Sequence, residues 1–153
     1  MALGSALAAF VHHLAAFTLV ALLVTEHALF AATLPVTLMR KLLRIDLYYG
    51  ICALVLLGVG ALRVFQFEKG ASYYFSNGFF LAKLALFVLV AVVSIYPTVT
   101  FLSWRPALRA GRIPEVTAQQ ERRVKLCLRV ELAAILGILL AAPLMARGFG
   151  RLG

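Results

Sequence analysis

Long apolar runs, separated by short clusters of cations and turn-forming residues, set the pattern of this chain. Four such runs can be drawn. The first extends from about Ser5 to Leu34 and is closed by Pro35. The second extends from about Leu47 to Phe67, the third from about Gly78 to Leu102, and the fourth from about Leu126 to Ala146, with Pro143 near its end. Each is long enough to cross a bilayer, which takes roughly 20 apolar residues. Helices are expected throughout, because an open strand leaves its backbone groups unsatisfied in lipid. The expected fold is an all-α integral membrane bundle of four transmembrane helices, one domain over residues 1–153 (spans about 5–34, 47–67, 78–102 and 126–146). Thr117 and Gln120 have the spacing of a capping box, which would start a helix running into the fourth span. Glu121 and Lys125 stand one turn apart on that helix.

Composition agrees. The 153 residues are 63% hydrophobic and 14% charged, with a mean hydropathy of +0.98. Soluble domains carry about 25% charged residues. A net charge of +9 would suit nucleic acid, but the cations gather in short loops at the ends of apolar runs, so the bilayer and not nucleic acid is the expected partner. Arg40, Lys41 and Arg44 lie between the first two runs. Arg105, Arg109, Arg112, Arg122, Arg123 and Lys125 lie between the last two. The opposite side holds Lys69, Arg147 and Arg151. The positive-inside rule then places the two basic connections in the cytoplasm and both termini in the periplasm of a bacterial inner membrane. Residues 72–78, SYYFSNG, are expected to form an aromatic belt at the outer interface. The first run lacks a basic leader and is too long for a signal peptide, so it is expected to be retained. Cys52 and Cys127 form no CxxC pair and are expected to be small buried apolar residues.

The polar residues inside the spans are the candidates for chemistry. Lys83 stands in the apolar run FFLAKLALFVLVAVV, where a central cation costs about 3 kcal/mol. His12 and His13 interrupt the first span near its start, and Glu26 and His27 near its end. His13 and His27 are about 21 Å apart along a helix and about 40° apart around it. Such a spacing is similar to that of two-haem cytochrome b helices, which need a second such helix; a parallel dimer would supply one. His12, His13, Arg63 and Lys83 are expected at one outer level. On the second span Tyr49, Ala53, Leu56, Gly60 and Arg63 share a face that would admit a flat cofactor or a neighbouring helix. At the inner level stand Glu26, His27, Arg44, Asp46, Arg129 and Glu131. Two readings are open for them: interfacial ion pairing, or a proton or substrate path. A metal cage would want several ligands at close spacing, whereas haem needs only one or two axial ligands. Haem fits this inventory better.

These residues carry a family resemblance. His13-Leu14 in the first span, Arg44 to Tyr48 at the start of the second, Ala82-Lys83-Leu84 in the third, and the basic loop from Arg105 to Gly111 together resemble the HemJ/CopD group of bacterial four-helix membrane proteins. The resemblance implies a protoporphyrinogen oxidase-like activity and bound haem b. It marks His13 and Lys83 as catalytic, with His13 as the metal ligand. Lys83 would be a second ligand or a propionate contact. His12, Arg63 and Tyr49, or Tyr48, would line the cofactor, and electrons would pass to or from quinone or a partner complex. Two alternatives stand beside it. One is a small transporter or ion-conducting protein using Glu26, His27, Asp46 and Glu131. The other is a non-catalytic accessory subunit, as a homodimer or in a larger membrane complex.

Overall fold

The computed structural model describes residues 2–67 and 70–150. Lys69 and Arg151, two of the three cations expected on the outer side, lie outside them. The described residues are helical with short connections: α1 (Ala2–Leu29), α2 (Val36–Leu62) continued by a π-helical turn (Arg63–Phe67), α3 (Ala71–Phe75), α4 (Gly78–Ser103), α5 (Arg105–Arg109) and α6 (Ala118–Ala146). Among the described residues three stretches are long and apolar enough to cross a membrane: Leu3–Leu29, Val36–Phe67 and Gly78–Arg109. Helix α6 is equally long but carries Glu121, Arg122, Arg123, Lys125, Arg129 and Glu131 in its first half.

The boundaries differ from the sequence expectation in two places. Helix α1 ends at Leu29, and residues 30–35 form a connection whose Phe30 and Leu34 are buried. Helix α2 starts at Val36, eleven residues before the expected span, so Arg40, Lys41, Arg44 and Asp46 are helical. The physical reason is amphipathicity: Met39, Leu42, Asp46 and Tyr49 recur at helical spacing and are all buried. The start of α6 follows the expectation. The Thr117 side chain accepts from the Gln120 amide, and the Gln120 side chain accepts from the Thr117 amide, which completes the capping box.

Helix α1 packs chiefly on α2, and α4 chiefly on α6. Contacts fix an antiparallel register for the first pair. A Cβ on Gly60 would lie 3.5 Å from the His12 ring, and one on Gly4 would lie 3.3 Å from the Phe67 ring. In the second pair a Cβ on Gly137 would come within 2.9 Å of Leu86. Helices in lipid gain little from apolar burial and associate through close packing of small residues, which is what these glycines permit. The start of α4 is fastened to Phe149 and Gly150. Asn77 caps Phe79 and Phe80 with its side-chain oxygen and donates to the Phe149 carbonyl at 2.9 Å. The Gly78 amide donates to the Gly150 carbonyl at 2.8 Å.

The core is off-centre. It lies at the end of the bundle where the two basic connections are, called here the basic end. Phe30, Phe101 and Trp104 form its aromatic centre, with ring centroids 4.9–6.3 Å apart. Leu23, Met39, Leu42, Leu108, Val124 and Leu128 pack around them. Toward the other end, where the described chain begins and ends, most large apolar side chains are exposed, among them Leu7, Phe10, Leu14, Leu54, Leu139 and Leu140.

Candidate functional site: a buried carboxylate cluster

Three carboxylates from three helices are buried in the bundle. Glu26 lies in the last turn of α1, Asp46 in α2 and Glu131 in α6, at 1%, 7% and 1% exposure. The α1–α2 register explains the first two. Fourteen residues from His12 along α1, and from Gly60 back along α2, lead to Glu26 and Asp46. Helix α6 adds Glu131 because Val124, Leu128, Glu131 and Ile135 form its buried stripe.

Two hydroxyls hold two of the acids. Tyr49, itself buried, donates to Glu131 Oε2 at 2.7 Å, and Thr98 of α4 donates to Asp46 Oδ1 at 2.7 Å. Other polar atoms near this depth are unsatisfied. Glu26 Oε1, Glu131 Oε1 and the Nδ1 of His27 are buried without a hydrogen-bond partner. Leaving one such group unmade costs about 1–3 kcal/mol, so three at one level form an unusual concentration. The charges of Asp46 and Glu131 act on Glu26, and that of Arg105 acts on Asp46.

Among the described residues no cation forms an ion pair with these acids; the ion pair that the structure does hold there is Lys125 with Glu121, one turn apart on α6 as the spacing suggested. Arg44 and Arg129 are exposed. Each stands two residues from its acid, Asp46 or Glu131, and residues two apart point to nearly opposite faces of a helix. Among the described residues no three His, Cys, Asp or Glu side chains gather as a metal-ligand set. Pro97, fully buried in α4 next to Thr98, offers no N–H to the Val93 carbonyl, a local weakness in the helix beside the cluster.

The residues expected at the outer level are placed differently from one another. His12 is half-buried and faces Gly60 of α2. His13 is exposed, with its Nδ1 2.7 Å from the Ala9 carbonyl of its own helix. Arg63 is half-buried in the π-helical turn. Lys83 is half-buried, its Nζ 5.5 Å from the centre of the Phe80 ring. The expected face of α2 is turned inward, since Tyr49, Ala53, Leu56, Gly60 and Arg63 are all at least half-buried. At Gly60 the space it leaves is taken by His12 of α1. Tyr49 belongs with Glu131, not with the outer level.

Sequence reasoning missed Thr98 and the partnership of Tyr49 with Glu131. The available signal was the i,i+3 spacing of Asp46 and Tyr49, which puts them on one helix face. Thr98 gave none, because a threonine in an apolar helix usually bonds to its own backbone, as Thr18, Thr25 and Thr100 do here.

No curated protein and no solved structure matches the chain. A family model matches residues 4–150, almost the whole described length, and the chain belongs to the family it represents, described as Predicted membrane protein (DUF2214).

Proposed function

We propose that this membrane protein handles protons, and that Glu26, Asp46 and Glu131 are the groups that take them up and release them. One observation carries the proposal: Glu26 and Glu131 are buried almost completely, and each keeps a carboxylate oxygen without a partner. Ionisable residues within membrane segments commonly mark proton or ion paths. A purely structural acid would be paired, since an unpaired one destabilises the fold. His27 and Tyr49 extend the set with two further groups able to pass a proton. In this proposal α6 crosses the membrane as the fourth span, with its charged first half projecting beyond the bilayer. The basic end faces the cytoplasm, and both termini face the periplasm.

The test is reconstitution in vesicles with a pH-sensitive dye inside. An imposed pH difference is expected to collapse faster with the wild-type protein than in protein-free vesicles. Glu26→Gln is expected to remove that excess while the protein inserts and melts normally. A pH gradient unaffected by the wild type, or dissipated equally by Glu26→Gln, refutes the assignment.

A second reading follows the likeness to the HemJ/CopD group, in which His13 ligates haem b and Lys83 assists. The observation favouring it is the exposed His13 ring, free at Nε2 of the bond its Nδ1 makes. A haem on that outward face would sit against lipid or between two copies of the chain, with His12 and Arg63 behind it. A Soret band lost in His13→Ala but kept in Glu26→Gln supports this reading. No band in protein grown with ample haem refutes it.

A further inference from the structure

Where α2 and α5 meet at the basic end, a shallow open cleft of about 230 Å³ is lined by Arg40, Leu43, Arg105, Leu108 and Arg109. No carboxylate lines it, and among the described residues none of its three arginines forms an ion pair. Arg40 is held in place by its own backbone contact: Nη2 donates to the Leu108 carbonyl at 3.0 Å. That bond uses one of five guanidinium donors and leaves the others available. Three guanidinium groups around one concavity, Arg40 held by its bond and Arg105 and Arg109 exposed, make a site for a phosphate, which guanidinium groups bind in forked geometry.

The position of the cleft selects the source of that phosphate. The α2 stretch Val36–Phe67 and the stretch Gly78–Arg109 each have 32 residues. At about 1.5 Å per residue both exceed a hydrocarbon core of roughly 30 Å, so their ends reach the headgroup layer. Arg40 lies one turn inside the start of the first, and Arg105 and Arg109 at the end of the second. The lining is also amphipathic. Leu43 and Leu108 supply apolar wall, and Leu47, one turn beyond Leu43 on the same face, is exposed. Basic pockets at membrane-helix ends suit anionic headgroups.

We infer that this cleft binds the phosphate of an anionic phospholipid, with Arg40, Arg105 and Arg109 as its ligands and Leu43 and Leu47 along its acyl chain. The inference does not rest on the proton-handling proposal: Arg105 touches both, through its charge on Asp46, but Arg40 and Arg109, the variants tested below, do not.

Native mass spectrometry of the delipidated full chain, supplied separately with phosphatidylglycerol, phosphatidylcholine and inorganic phosphate, tests it. One phosphatidylglycerol is expected to stay bound under conditions that strip phosphatidylcholine. Arg109→Gln is expected to lower its retention about tenfold, the equivalent of one charge-assisted hydrogen bond. Arg40→Lys, which keeps the charge but loses the fork, is expected to lower it several-fold in a folded protein. Arg112→Gln, in the same connection but outside the cleft, is expected to leave it unchanged. Equal retention of the two lipids overturns the inference. So does an equal loss from Arg112→Gln and Arg109→Gln, which would mean diffuse surface charge. Displacement of the lipid by an equal concentration of inorganic phosphate also overturns it, because the site would then be one for free phosphate.

Discussion

The two ends of this bundle are built on different terms. At the basic end aromatic and aliphatic side chains from all four long helices are buried together, and the acids are buried among them. At the other end few side chains are fully buried, and the polar residues His12, Arg63 and Lys83 are only half-covered. Packing obeys different rules in lipid and in water. In lipid an apolar side chain gains little by leaving the surface, so the helices need close contact only where small residues allow it. Where water reaches, the drive to bury apolar area returns; at the basic end Phe30, Leu34, Trp104 and Leu108 are buried and close over the core. Buried polar chemistry is therefore concentrated where the scaffold is tightest, as a site with fixed geometry requires.

Truncation on the two sides should break or confirm that contrast. Phe101 is fully buried at the centre of the aromatic group, and Leu54 is 71% exposed on α2. Phe101→Ala is expected to destabilise the protein by about 3 kcal/mol. Leu54→Ala should stay within about 0.5 kcal/mol. Thermal unfolding in detergent or nanodiscs reads both. Similar losses at the two positions would show that the ends are equally packed in the membrane.

The acids sharpen the comparison in the opposite direction. Glu26 is buried with an oxygen unpartnered and no cation paired to it, so it weakens the very end that holds the bundle together. Glu26→Met, with similar volume and no polar atom to satisfy, is expected to stabilise the protein by about 1 kcal/mol while abolishing proton movement. A lower melting temperature in Glu26→Met would mean that the acid is structurally paired, and would remove the main support for its role in proton handling.

Much of this division was legible in the sequence. The helical class followed from run length, and the capping box at Thr117 and the Glu121–Lys125 pair followed from spacing. Glu26, Asp46 and Glu131 stood out as acids at the ends of apolar runs. Their convergence was not legible, because it depends on the α1–α2 register, and that is set by the packing of His12 on Gly60 and Phe67 on Gly4. The start of α2 was missed because a hydropathy window averages Arg40, Lys41 and Arg44 with Met39 and Leu42. Only the helical period separates the exposed face from the buried one. Adjacent histidines are likewise equal in sequence, and helix rotation alone turns His12 inward and His13 outward.

The smallest expected effect lies where α6 leaves the core of the basic end. The carboxyl of Glu121 is held below the usual glutamate range, first by its hydrogen bond with Lys125 and then by the Lys125 charge. Because the folded value is lowered, the pair stabilises the fold above the unfolded glutamate value of about 4.3, and that contribution disappears as pH falls through the folded value. Glu121 is solvent-accessible, so water and salt screen the pair. Glu121→Gln should therefore lower the melting temperature slightly at pH 7 and low salt, less at high salt, and not at all near the acid limit. Phe30 and Leu34 of the α1–α2 connection share the buried core with Val124 and Leu128 of α6, so amide exchange in residues 30–35 should quicken in the variant while exchange around Asn77 does not change. Faster exchange at both ends would mean that the two ends open together, contrary to the separation drawn between them.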